Sequence, residues 1–113
     1  MTPNDYQQAA LRTAPGDLPP EKLLLNGLMG LNGEAGEAID ILKKHLFQGH
    51  ELDTAHMAKE LGDVAWYLAV LCSAIGSDLD TVLEENLTKL EKRYPEGFDP
   101  YRSQHRNDFG GVL

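Results

Sequence analysis

The chain contains one cysteine, Cys72, so no intrachain disulfide can hold it together. Inside an apolar run, a lone thiol serves as a small core residue. Aromatic residues make up only 7% of the chain, with a single tryptophan, so its core must be built mainly from aliphatic side chains. Basic residues are also short: Lys+Arg 10 against Asp+Glu 18 gives a formal net charge of −8. That balance argues against non-specific binding to nucleic acid or to anionic membranes. No apolar run approaches the roughly 20 residues that a membrane-spanning helix needs. Nothing at the N-terminus reads as a signal peptide. The expectation is a soluble cytoplasmic protein with neither a nucleic-acid nor a membrane partner. No segment alternates apolar and polar residues over a strand's length, so no sheet is expected.

What is present is helical periodicity. A chain of 113 residues suits one domain. A lone bundle of that size buries a limited fraction of its surface, so oligomerisation would help it. Thr2-Pro3-Asn4-Asp5 reads as a helix start, with Thr2 as N-cap and Pro3 in the first turn. That helix should run to about Arg12 and be broken by Ala14 to Pro20. Tyr6 and Gln7 on it are read as packing and solvation residues. A second helix is expected over about Pro20 to Leu46, a third over about Ala55 to Ala74, and a fourth from Leu79 to Tyr94. Asp53 or Thr54 should cap the third, and Gly76 should end it. Beyond Phe98 no periodicity remains, and Asp99 to Leu113 reads as an arm or a disordered tail. The fold class predicted is all-α, a small oligomeric bundle of four to five helices. Residues 1–98 would form the domain and 99–113 the C-terminal arm.

Two acidic pairs stand inside this pattern: Glu34 with Glu37, and Glu60 with Asp63. A spacing of three puts both members on one helix face, roughly 60° apart. On the second helix that face also carries Gly27, Gly30, Ala38, Ile41 and His45. On the third it carries Val64, Tyr67, Leu71, Ala74 and Ile75. The acids thus lie within the apolar stripes, where a solvated charge run would not be. Two such helices joined by the short turn Gln48 to Leu52 would bring four carboxylates together. Burying them unpaired is costly, and protons, basic partners or a hard divalent cation such as Mg²⁺ or Mn²⁺ would relieve the repulsion. Gly27, Gly30, Gly33 and Gly36 recur every third residue. Each costs roughly 1 kcal/mol relative to alanine inside a helix, so a close neighbour or ligand should account for them; otherwise the helix breaks near Gly30. On the fourth helix Asn86 falls within the apolar stripe, with Lys89 and Arg93 beside it. His45 reads as a core-edge residue, and His50, His56 and His105 as turn or surface residues. No ExxH pair is present, which argues against a ferritin-like di-iron site. No P-loop or Rossmann glycine pattern follows a strand.

The runs Gly30-Leu31-Asn32-Gly33-Glu34-Ala35-Gly36-Glu37, Lys43-Lys44-His45 and Lys59-Glu60-Leu61-Gly62-Asp63-Val64-Ala65-Trp66-Tyr67, with Asn86 to Phe98, carry a family resemblance. The chain resembles the MazG-like nucleoside triphosphate pyrophosphohydrolases over about residues 22–98. The resemblance implies an all-α, Mg²⁺-dependent enzyme, with Mn²⁺ as a substitute, that assembles as a homodimer or homotetramer. It implies hydrolysis of (deoxy)nucleoside triphosphates to monophosphate and pyrophosphate, as housecleaning of the nucleotide pool. It implies that Glu34, Glu37, Glu60 and Asp63 are metal ligands and that Glu34 or Glu37 handles the attacking water. Lys44, Asn86, Lys89 and Arg93 would contact phosphates or sugar, and Tyr67 would pack by the nucleotide. Rival expectations are a dUTPase or phosphoribosyl-ATP pyrophosphohydrolase on the same scaffold, or a non-catalytic nucleotide-sensing or oligomerisation module.

Overall fold

The computed structural model describes residues 1–106. Among them are five helices: α1 (Pro3–Leu11), α2 (Pro20–Gln48), α3 (Thr54–Ala74), α4 (Leu79–Arg93) and α5 (Pro100–Gln104). No strand occurs among the described residues, and the architecture is all-α. No single helix there is long and apolar enough to cross a membrane. The chain divides into two compact units, Met1–Leu79 and the part from Asp80 onward.

In the first unit the helix boundaries follow local chemistry. Thr2 and Asp5 form a reciprocal capping box on α1, each side chain meeting the other's backbone N–H at 3.0 and 2.9 Å. Asp53 caps α3 by accepting from the His56 N–H at 2.9 Å. Gly49 ends α2 at φ 72°, a left-handed conformation that a side chain would strain.

Contrary to the alternative of a break near Gly30, α2 is a single helix of 29 residues. Close packing against α3 explains two of its glycines. A Cβ on Gly27 would lie 2.6 Å from Leu71 Cδ2, and one on Gly30 would overlap the Tyr67 ring. Gly33 and Gly36 face open space. As the α2 partner advances from Gly27 to Gly30 to Glu37, the α3 partner recedes from Leu71 to Tyr67 to Glu60. The two helices are therefore antiparallel.

α3 is central to this unit, packed by α2 on one side and α1 on another. Its Ala69, Val70, Leu71 and Cys72 are all buried, as its nearly continuous apolar sequence requires. α1 is tied down by polar contacts. Gln7 is buried; its amide donates to Ser73 Oγ at 2.7 Å and to the Ser77 carbonyl, and its oxygen accepts from the Leu79 N–H at 2.7 Å. Trp66 Nε1 donates to Thr13 Oγ1 at 2.8 Å. Gln7 is thus a packing residue, and these bonds leave none of its side-chain polar atoms orphaned.

A broad apolar surface remains uncovered. Leu25, Leu28, Met29, Ile39, Leu46 and Phe47 of α2 and Leu61 of α3 are all exposed.

In the second unit the apolar stripe of α4 is also largely exposed: Leu87 is 60% accessible. Asn86 is exposed with it. Gly97, at φ 98°, turns the chain after α4, and Tyr94 and Phe98 bring their rings to 5.3 Å. Within the stretch expected to be an arm or a disordered tail lies the short helix α5. Asp99 caps it by accepting from the Tyr101 N–H at 2.9 Å, and Pro100 opens its first turn. That signal is visible in Asp99-Pro100, but five residues are too few to show periodicity. The Gly110-Gly111 pair lies outside the described residues.

Candidate metal centre

Antiparallel packing of α2 on α3 sets two glutamates of one helix against one of the other. Glu34, Glu37 and Glu60 each offer a carboxylate oxygen, and these atoms all lie within 4.8 Å of one another. Glu60 is buried, Glu34 half-buried and Glu37 exposed. Asp63 sits one turn beyond Glu60, exposed and outside this three-carboxylate cluster. Its charge nevertheless reaches Glu34 and Glu37.

The electrostatics follow from three acids sharing one place. Glu34 is pushed up from 4.5 to about 7, first because it hydrogen-bonds Glu60, then by desolvation and by the charges of Glu37, Glu60 and Asp63. Glu37 is raised as well, chiefly by its own hydrogen bond to Glu60. Glu60 is lowered, chiefly because it accepts from Glu34. The cluster thus retains a proton near neutrality that isolated carboxylates would have released.

Two atoms show what the cluster lacks. Glu34 Oε2 and Glu60 Oε2 are both buried without a hydrogen-bond partner. Orphaned carboxylate oxygens facing like charge are costly, and a hard cation that takes oxygen ligands satisfies both conditions at once. The donor set, all carboxylate oxygen with no thiolate or imidazole in the cluster, suits Mg²⁺ or Mn²⁺. The residues present therefore fit such an ion.

His56 was read from the sequence as a turn or surface residue, and the structure gives it a part in the site. It lies in the first turn of α3, and its Nε2 donates to Glu60 Oε1 at 3.0 Å. The signal was its spacing of four from Glu60, the helical interval at which side chains meet. His45, expected at the core edge, is exposed, with Nδ1 2.8 Å from the His50 carbonyl. Lys44 pairs with Asp40 at 3.2 Å on the wall of a pocket of about 480 Å³ that also reaches Glu37, His50 and His56. Tyr67 lies against Gly30 and meets Trp66 edge-on at 4.9 Å. Asn86, Lys89 and Arg93 lie on α4 in the second unit, spaced to share one helix face. Asn86 is exposed, and Lys89 and Arg93 are half-buried.

A pH prediction arises here. A divalent cation needs the carboxylates ionised, so it must displace the proton that Glu34 holds up to about 7. Mg²⁺ affinity is expected to rise as pH increases through about 7 and then level off. Titration calorimetry at pH 6.5 in buffers of different ionisation enthalpy should show proton release. Binding without proton release would contradict the shared proton.

The family model for the MazG nucleotide pyrophosphohydrolase domain matches residues 24–98. The Gene 37 protein of Mycobacterium phage L5 is 39% identical over 100 residues, an alignment covering 81% of this chain and 88% of that protein. No solved structure matches.

Proposed function

The chain belongs to the MazG nucleotide pyrophosphohydrolase domain family, and from that premise we propose that it hydrolyses (deoxy)nucleoside triphosphates to nucleoside monophosphate and pyrophosphate with Mg²⁺. The observation that carries this reading is the cluster of Glu34, Glu37 and Glu60 with its two orphaned oxygens. Glu34, Glu37 and Glu60, and in this reading Asp63, would hold the ion. Such a cation neutralises phosphate charge and makes water more acidic.

The remaining steps belong to the protein's own residues. Glu34 takes the proton of the attacking water. Glu37 holds that water in line with the α-phosphorus. His56 fixes the orientation of Glu60 through its Nε2 donor. Lys44, Lys89 and Arg93 offset charge on the phosphates, the leaving pyrophosphate included. Asn86 contacts sugar or phosphate, and Tyr67 packs beside the nucleotide. Residues 1–98 form the catalytic domain in this reading, and residues 99–113 an arm. Clearing unwanted nucleotides from the cytoplasmic pool is the role that such an activity serves.

The uncovered leucines of α2 and the exposed stripe of α4 support a homodimer or homotetramer. Sedimentation at micromolar concentration should show an oligomer, and a monomer there would reject assembly. A panel of triphosphates assayed with pyrophosphate detection tests the activity itself. It also separates a general enzyme from a dUTPase or a phosphoribosyl-ATP pyrophosphohydrolase. No turnover of any of them with Mg²⁺ bound would make the chain a nucleotide-sensing or oligomerisation module instead.

A further inference from the structure

The chain is acidic overall, yet one place in it is strongly basic. Lys92, Arg93, Arg102 and Arg106, four of its ten Lys and Arg residues, line a single pocket of about 310 Å³ in the second unit. His105 lines it too, and Asp99 is the only carboxylate among the described residues that line it. Asp99 already accepts the Tyr101 N–H as the cap of α5. Neither Lys92 nor Arg102 makes an ion pair among the described residues.

A plainer account covers part of this. Cations in the last turn of a helix complement its dipole, which suits Lys92 and Arg93 at the end of α4. It does not suit Arg102, because α5 has only five residues and a correspondingly small dipole. Its convergence with the end of α4 needs another reason.

One wall of the pocket is held by contacts within α5. The Tyr101 and His105 rings stack at 4.0 Å with an interplanar angle of 18°. His105 Nδ1 lies 2.8 Å from the Tyr101 carbonyl, which can only accept, so Nδ1 carries the hydrogen. This bond and the stacking fix the orientation of the ring. Guanidinium groups match phosphate oxygens with two parallel donors each, and several cations in one pocket favour a ligand of high charge density.

We propose that this pocket binds a polyphosphate anion, inorganic pyrophosphate or the triphosphate tail of a nucleotide, without the help of a metal ion. The choice of ligand rests on the pyrophosphohydrolase reading. The site itself lies mostly beyond the stretch that the family model matches, which ends at residue 98.

The test is calorimetric titration of the full chain with inorganic pyrophosphate in a chelator, so that the carboxylate cluster is metal-free and hydrolysis is not read. Saturable binding is expected, weakened about tenfold in Arg102→Ala, the loss typical of one charged hydrogen-bonding partner. Lys92→Ala should weaken it too, whereas Lys22→Ala, an exposed cation of α2, should not. Circular dichroism checks that each variant stays helical. A nucleoside triphosphate that displaces pyrophosphate assigns the site to a nucleotide's tail, and one that does not assigns it to free pyrophosphate. No saturable binding, or binding unchanged in both Arg102→Ala and Lys92→Ala, overturns the proposal and leaves the carboxylate site untouched.

Discussion

Gly30→Ala should destabilise the chain, and Gly33→Ala, three residues along the same helix, should stabilise it. Replacing an interior glycine with alanine gains about 1 kcal/mol of helix propensity at either position. At Gly33 nothing lies within 4 Å of the new methyl, so the gain stands. At Gly30 the methyl overlaps Cε1 and Cζ of Tyr67, and either the ring leaves its place or the helices part. Overpacking of this kind costs about 1–3 kcal/mol, which cancels the gain and more. The two variants should therefore differ by about 1–3 kcal/mol in urea denaturation. Adding Tyr67→Ala to Gly30→Ala should cost less than the sum of the two changes, because the clash disappears with the ring. If Gly30→Ala proved as stabilising as Gly33→Ala, the close approach of α2 to α3 would be wrong, and with it the placement of Glu34 and Glu37 against Glu60.

The larger effect is on activity, and it runs opposite to stability. Glu34→Gln should lower kcat about 10²–10⁴-fold, the usual contribution of a general base. Glu60→Gln should abolish the Mg²⁺ response, because the buried oxygen that α3 supplies to the cluster is lost. The metal-free Glu34→Gln variant should nevertheless be more stable than the parent at pH 8. The sign follows from the protons. Glu34 holds its proton up to about 7 in the native chain but releases it near 4.5 when unfolded. Unfolding between those values releases a proton, so stability falls as pH rises from about 4.5 through about 7 and is level above. Glu60 works in the other direction: its lowered value adds stability above the ordinary carboxylate range that is lost as pH falls. Glu34→Gln removes the acid whose ionisation is opposed, so the loss between pH 5 and pH 8 should shrink. Thermal denaturation across that range, with and without Mg²⁺, measures both trends. An inactive Glu34→Gln with an unchanged pH profile would mean that the cluster does not share a proton.

Much of this was legible in the chain, and the exceptions have physical causes. The ends of α1, α2 and α3 could be read because Thr2, Asp53 and Gly49 act locally, through bonds within a few residues. The convergence of Glu34, Glu37 and Glu60 could be read because all three lie on apolar faces of helices joined by a short turn. Asp63 shares the pattern yet stays exposed, since a helix face is wide and periodicity cannot resolve one flank from the other. The contact of His56 with Glu60 follows from their spacing of four, but its weight depends on the burial of Glu60, which spacing does not record. The apolar stripe of α4 includes Leu83, Leu87 and Leu90, and in one chain all three are exposed. Periodicity reports that a face is apolar and is silent about whether the same chain covers it. Glycine spacing suggested a close neighbour, and only the packing shows that Gly27 and Gly30 have one while Gly33 and Gly36 do not.

Hydrolysis of a nucleoside triphosphate in ¹⁸O-labelled water, with Mg²⁺ present, tests the central claim most directly. If the carboxylate cluster directs water to the α-phosphorus, mass spectrometry finds the label in the nucleoside monophosphate and none in the pyrophosphate. Label in the pyrophosphate, or release of orthophosphate with nucleoside diphosphate, would contradict it.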